Sequence, residues 1–261
     1  MGQPFNYKKT NMEDQLIFGR KPILDALTAE TRFEKIYVMQ GAEGPEIEEI
    51  KSSAKAQKII VQEVPKEKLQ DLLYKHKMRD VNHQGVMGYA SLITYKTIDE
   101  ILALAEQREE HPLIVVLDGV TDIHNFGAIA RSAECFGAHG IVMQYSNAAP
   151  INAVAIKVSA GALTRLAVCR EQSLLTAIKM LRAHGLKIYG ADTNQEKTIS
   201  QADLTEPVAI ILGAEGDGIA AVVKRHCDAL LAIPMQGNTE SLNVSVSAGV
   251  VLYEAASQRR L

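Results

Sequence analysis

Cysteine is scarce in this chain of 261 residues. Cys135, Cys169 and Cys227 are odd in number and widely spaced, and no C-x-x-C pair occurs, which argues against both a disulfide framework and a thiolate zinc site. Buried, reduced thiols in a cytoplasmic protein without a metal are the expectation. Long apolar runs are also missing: none approaches the ~18 uninterrupted apolar residues of a membrane span, so no membrane partner is expected. The polar opening Met1-Gly-Gln-Pro-Phe-Asn-Tyr-Lys-Lys has no apolar centre of the kind a secretory signal needs. Asn6 stands where a myristoylation signal carries Ser or Thr. Residues 1–14 read as a flexible tail. Nor is there an excess of positive charge. With 28 Lys and Arg against 31 Asp and Glu the net charge is −3, which lacks the overall electrostatic footprint of a nucleic-acid binder. Internal repeats and low-complexity tracts are absent too.

What is present is an ordinary soluble composition, 47% hydrophobic and 23% charged, long enough for one large domain or two modest ones. Local basic clusters stand out: Tyr7-Lys8-Lys9, Arg20-Lys21, and Lys66-Glu-Lys68 through Lys75-His-Lys-Met-Arg79. Two readings fit them, a phosphate-binding patch on an acidic whole and solvated helix faces balanced by Glu46, Glu48 and Glu49. Between Gln15 and Ser91 the apolar runs 35–39, 58–62 and 85–90 alternate with helical patterns. Pro22 sits just inside the first helix, Pro45 opens the second and Pro65 the third, where a missing N–H costs nothing. These residues predict a small α/β unit over 15–95. Residues 97–110 carry apolar side chains at helical spacing and a charged end before His111-Pro112 breaks the pattern, so 96–111 is expected to be a linker helix. Beyond it the runs 113–117, 140–144, 166–169, 186–190, 208–212 and 229–233 are nearly continuously apolar, as suits parallel strands covered on both faces. Helical segments such as 173–184 lie between them, and 112–261 therefore reads as a doubly wound α/β domain.

Three segments place polar groups where an apolar run ends, which in open α/β sheets is where ligands bind. In the first, Leu117 to Arg131, Asn125 is a plausible N-cap whose helix aims free N–H groups outward. Arg131, about two turns on, can reach a phosphate or a developing oxyanion; a surface Arg131–Glu134 pair on a capped helix is the alternative. In the second, Leu212-Gly-Ala-Glu-Gly-Asp-Gly-Ile219, the glycines allow close backbone approach and positive φ. No Lys-Ser/Thr follows Gly218 and the spacing is not G-x-G-x-x-G, so nucleotide triphosphate and dinucleotide fingerprints are both absent. In the third, Ile233 to Val250, Ser241 and Asn243 can cap a helix whose small residues Ser245, Ser247, Ala248 and Gly249 permit close packing.

In this order the three segments resemble the signatures of the SpoU/TrmH family of SPOUT methyltransferases, which transfer methyl from S-adenosylmethionine to a ribose 2′-oxygen of RNA. In the family pattern the acidic residue is followed by Pro, any residue and Asn. Asp122 and Asn125 fit, whereas Ile123 replaces the Pro. The resemblance implies an α/β fold with a parallel sheet and a deep trefoil knot, the rare exception to unthreaded connections. It assigns Leu212, Gly213, Ile233, Met235, Ser241, Leu242 and Asn243 to the donor site. Arg131 would engage the attacking hydroxyl, Asn125 would orient the ribose, Glu215 would belong to the donor pocket, and Ser241 and Asn243 would complete it. A homodimer through the C-terminal knot region is also implied.

The N-terminal runs Ile17 to Leu27 and His83 to Tyr89 resemble the ribosomal-protein-like RNA-binding domain of family members that methylate a guanosine of 23S ribosomal RNA. The expected reaction is therefore 2′-O-methylation of ribosomal RNA. The tRNA and antibiotic-resistance rRNA methyltransferases are neighbouring alternatives, and a silent RNA-binding factor one of another class. Methyl transfer to a hydroxyl needs in-line positioning and help with the proton. A guanidinium is a poor base, so Arg131 reads as an oxyanion or phosphate stabiliser first. His124 reads either as a base at neutral pH or as a solvent-facing turn residue.

Overall fold

The computed structural model describes residues 15–29, 31–76, 78, 81–193 and 195–259. The expected tail over 1–14 and the basic residues Lys8, Lys9, Lys77 and Arg79 lie outside them. The chain divides into two compact units, the first running to Leu92 and taking in Ile151–Ala153, the second running from Ile93 to Pro150 and from Val154 onward.

In the first unit the order is β1 (Gln15–Phe18), α1 (Arg20–Thr28), β2 (Phe33–Met39), α2 (Pro45–Ala56), β3 (Val61–Val64), α3 (Lys66–Lys75) and β4 (Val86–Ala90). The sheet order is β1-β4-β2-β3, with β2 and β3 parallel and β4 antiparallel to both β1 and β2. Ile23, Leu27, Ile47 and Ile50 from α1 and α2 meet Ile36 and Val38 in one buried cluster, while Leu69, Leu72 and Leu73 of α3 gather with Val64 and Met87 in another. Alternate residues of each strand thus bury toward opposite faces, the period-2 logic of a sheet covered on both sides. Pro45 is the first residue of α2 and Pro65 the N-cap of α3, while Pro22 lies in the first turn of α1. The run 58–62 forms a strand only from Val61, because Lys58 adopts a φ of 57° and turns the chain after α2.

The second unit contains α4 (Ile98–Gln107), β5 (Leu113–Asp118), α5 (Ile123–Cys135), β6 (Gly140–Gln144), α6 (Ala153–Val158), β7 (Ala167–Glu171), α7 (Leu174–Ala183), β8 (Lys187–Ala191), β9 (Val208–Gly213), α8 (Ala221–Lys224), β10 (Ala229–Leu231) and α9 (Val244–Arg259). Its six strands are all parallel in the order β10-β8-β9-β5-β6-β7. The central strand β5 is buried at every position, as expected where helices cover both faces. β9, made late in the chain, inserts between β5 and β8, so strand ends from distant parts of the sequence adjoin.

Residues 96–111 do not behave as a linker. Thr97 and Glu100 form a reciprocal capping box that starts α4. Ile98 and Ile101 then pack in one cluster with Ile114, Val142, Ala167 and Leu181, and Ala105 is fully buried. Apolar residues at i, i+3 and i+7 make a stripe that needs a partner surface, and here that surface belongs to the second unit.

Behind α4, His139 is buried with its Nδ1 accepting the Leu113 N–H at 3.1 Å and its Nε2 3.0 Å from Glu110. A ring that accepts at Nδ1 must carry its proton on Nε2, which donates to Glu110. Burial holds the His139 pKa below the ordinary value of 6.5, more than the Glu110 carboxylate raises it. The unfolded chain therefore binds the proton more readily than the native one. The stability this contributes is complete above about pH 6.5 and is lost as pH falls through the native pKa. Thermal unfolding from pH 7.5 to 5 should show a declining Tm whose slope is reduced in His139→Phe; equal slopes would remove His139 from the acid response.

Candidate active site

The polar segments meet at the carboxyl ends of the parallel strands. β5 ends on Asp118, a buried carboxylate that accepts the Ala220 N–H at 2.8 Å. That bond pins the far side of the glycine loop that follows β9. The loop closes on itself, with the Ala214 N–H donating to the Gly218 carbonyl at 3.1 Å and the Gly218 N–H to the Ala214 carbonyl at 2.9 Å. Gly216 and Gly218 take φ values of 92° and 66°, conformations that cost a residue with a Cβ. At Gly213 the demand is steric: a Cβ would lie 2.1 Å from the Gly218 carbonyl carbon and 2.2 Å from the Ile219 nitrogen.

Asn125 was expected to cap α5, but the cap is Asp122, whose side chain accepts the Asn125 N–H at 2.8 Å. Both residue types cap well and stand three apart, the spacing at which one serves the other's N–H. The Asn125 side chain is thereby freed for longer reach. Its Nδ2 donates to Glu215 Oε2 at 3.1 Å, and its Oδ1 accepts from Asn243 Nδ2 at 3.1 Å. Asn243 Oδ1 in turn accepts the Ser245 N–H at 2.9 Å and the Ser245 hydroxyl at 2.6 Å, capping α9. Ser241, the other expected cap, makes no such bond among the described residues and is exposed. The hydrogen-bond chain runs in one direction, from Ser245 through Asn243 and Asn125 to Glu215. The Ser245 N–H can only donate and an ionised carboxylate can only accept, so the two ends together fix which way both amides point.

A cavity of about 380 Å³ opens beside this chain. Leu212, Gly213, Glu215, Ile233, Met235, Ser241, Leu242 and Asn243, all assigned from sequence, line it. Asn125 reaches it through its bonds to Glu215 and Asn243. Arg131 does not: it lies on the exposed side of α5, six residues or about 9 Å along the axis from Asn125, and no lining residue comes from α5. The Arg131–Glu134 pair does not form either, because Glu134 binds Arg165 Nε at 2.9 Å. His124 is likewise exposed and outside the cavity.

Three polar or charged lining residues are not marked by the sequence reading: Asp192 and Thr193 just after β8, and Lys224 of α8. Asp192 Oδ2 sits 2.8 Å from Lys224 Nζ, and its Oδ1 accepts the Thr193 N–H at 3.0 Å. Position directly after an apolar strand was the available signal. The cavity thus combines apolar walls with a few fixed polar groups, the usual make-up of a small-molecule site. Among the described residues no group of three or more His, Cys, Asp or Glu side chains could hold a metal ion.

Comparison with known proteins places this geometry. Residues 112–253 match the SpoU rRNA Methylase family, and residues 16–96 match a domain described as RNA 2′-O ribose methyltransferase substrate binding. The chain belongs to the SpoU family of RNA methyltransferases. A relative from Mycolicibacterium smegmatis, described as an uncharacterized tRNA/rRNA methyltransferase, is 39% identical over 249 residues, covering 95% of this chain and 78% of the relative. The structure is similar to the SpoU methyltransferase AviRb from Streptomyces viridochromogenes in complex with AdoMet, with 25% identity, a TM-score of 0.59 and coverage of 94% of this chain and 90% of that one. It is also similar to a crystal structure of an RNA 2′-O ribose methyltransferase, with 29% identity, a TM-score of 0.54 and coverage of 96% and 90%.

The close approach at Gly213 gives a direct test. Gly213→Ala should destabilise the second unit by about 1–3 kcal/mol through overpacking against the backbone, measured by chemical denaturation, whereas Gly237→Ala, which meets nothing within 4 Å, should be near neutral. Equal stabilities would mean that the loop is not held against β9.

Proposed function

We propose that this protein transfers the methyl group of S-adenosylmethionine to the ribose 2′-oxygen of a guanosine in 23S ribosomal RNA. The observation that carries the reading is the directed hydrogen-bond chain Asn243–Asn125–Glu215 at the rim of a cavity lined by every residue assigned to the donor. A volume near 380 Å³ with Leu212, Ile233 and Leu242 among its walls suits the adenosine and methionine parts of the donor. Gly213 lets the loop after β9 fold back against the strand, where a Cβ would strike the Gly218 and Ile219 backbone, and so keeps that wall of the cavity in place. When bound, the donor supplies an activated methyl on a sulfonium.

The chain's own groups then have positioning work. Asn125, held by partners on both sides, orients the ribose, and Ser241 and Asn243 complete the pocket. Arg131 has no ion pair among the described residues and stands clear of the cavity, which suits a guanidinium that meets the RNA rather than the donor. It neutralises a phosphate or the developing oxyanion, a role a fork-shaped cation performs better than proton abstraction. Preference for ribosomal RNA rests on the resemblance of the N-terminal runs 17–27 and 83–89, to which we also attribute the ribosomal-protein-like character of the first unit. The passage from β10 through 233–243 to α9 is assigned to the knot. A homodimer through this region would cover Val246 and Tyr253 of α9, which are 50% and 60% exposed. The cytoplasm is the proposed compartment.

The test is transfer of labelled methyl from S-adenosylmethionine to unmodified 23S rRNA and, separately, to unmodified bulk tRNA. Label in rRNA alone, resistant to alkaline cleavage at the modified nucleotide, is expected; label in tRNA alone would overturn the substrate assignment. Arg131→Ala should lower turnover about 100-fold or more with donor affinity within about twofold, as for loss of a transition-state contact. Asn243→Ala should weaken donor binding about tenfold by calorimetry, and an unchanged affinity would sink the pocket assignment.

A further inference from the structure

A second cavity, of about 720 Å³, lies wholly within the first unit. One wall is the turn before β4, and its rigidity comes from a set of local bonds. Asn82 Oδ1 accepts the Gln84 N–H at 3.1 Å, and His83 Nδ1 accepts the Gly85 N–H at 3.0 Å. Gln84 then clasps the start of α1: its Oε1 accepts the Arg20 N–H at 2.9 Å and its carbonyl accepts from Arg20 Nε at 3.2 Å. Gln84 pays for this with a φ of 51°, the left-handed region that a side chain occupies only when its surroundings impose it. Two segments 64 residues apart are thus fixed as one surface.

The side chains that line this cavity are chemically mixed. Lys21 and Lys66 have no partner among the described residues, while Arg20 is committed to Gln84 and lies 3.6 Å from Glu46. Glu43 is exposed and likewise without a partner among the described residues. His83 accepts at Nδ1, so its Nε2 carries the proton as a free donor. Burial and the neighbouring Lys66 hold its pKa below 6.5, keeping the ring neutral. A track for phosphates alone would gain nothing from a free carboxylate, which repels them. A base that presents adjacent N–H donors beside acceptor atoms uses all three kinds of group. Guanine is that base: N1–H and the amino group face a carboxylate, and O6 and N7 face donors.

Resting on the RNA methyltransferase reading, we infer that this cavity takes an unpaired guanine of the RNA substrate, with Glu43 on its N1–H and amino edge, the His83 N–H on its acceptor side, and Lys21 and Lys66 on the flanking phosphates. Sequence selection would then begin on the first unit, apart from the donor cavity.

The experiment uses the full chain and three single-stranded RNA nonamers of uridine whose central residue is guanosine, inosine or uridine, with binding read by fluorescence anisotropy at several salt concentrations. Inosine lacks only the amino group. The guanosine nonamer should bind about fivefold or more tighter than the inosine one, and Glu43→Gln should erase that difference. Lys21→Ala with Lys66→Ala should weaken all three about tenfold and flatten the salt slope by about 1.4, while Lys55→Ala, at the far end of α2, changes nothing. Equal guanosine and inosine affinities, or a lysine pair variant that binds as wild type does, overturn the assignment while leaving the methyltransferase reading intact. Failure of the wild type to bind both the nonamers and 23S rRNA overturns that reading as well. Displacement of RNA by polyglutamate at matched charge as readily as by the guanosine nonamer overturns it in favour of an acidic protein partner.

Discussion

The cavity at the strand ends depends on a line of hydrogen bonds whose two ends cannot exchange roles. Glu215 closes a line of hydrogen bonds that begins at the first turn of α9 and passes through Asn243 and Asn125. The Ser245 backbone N–H can only donate and the Glu215 carboxylate can only accept, so neither amide between them can turn over without setting like against like. The polarity of the line is thus fixed at both ends. The start of α5, the loop after β9 and the start of α9 are thereby held in one register by side chains rather than by strand pairing.

That arrangement requires the loop after β9 to stay in place, and the backbone provides this independently. The paired bonds between Ala214 and Gly218, the bond from Ala220 to Asp118 and the glycine at 213 leave the loop little freedom. A site whose groups are already arranged spends less of its binding energy on ordering them when a ligand arrives. The apolar walls and the Asp192–Lys224 pair border the same space.

Much of this is legible in the sequence alone. The strands of the second unit announce themselves because a sheet covered on both faces needs unbroken apolar runs, and no other soluble element of five or six residues does. The small β1 escaped notice because four residues on a sheet edge carry almost no periodicity. α4 read as a connector because its last turn is charged and a proline follows, while the stripe Ile98, Ile101 and Ala105 told the truth about where it packs. Asp122 and Asn125 are both good caps, and sequence could not say which would be spent on the helix and which kept for the site. Asp192 and Lys224 stand far apart in the chain, and only the fold makes them neighbours.

The bond between Asn125 and Asn243 spans 118 residues. During synthesis from the N-terminus, α5 is made well before the chain that caps and closes the pocket exists. Contacts of such separation form late, after the loop entropy between them has been overcome. A nascent or half-folded copy therefore holds only the walls given by β8, β9 and the glycine loop, without those from Ile233 to Asn243. Occupancy of the cavity by a ligand would then act as an inspection stamp, given only to a chain whose α9 has docked.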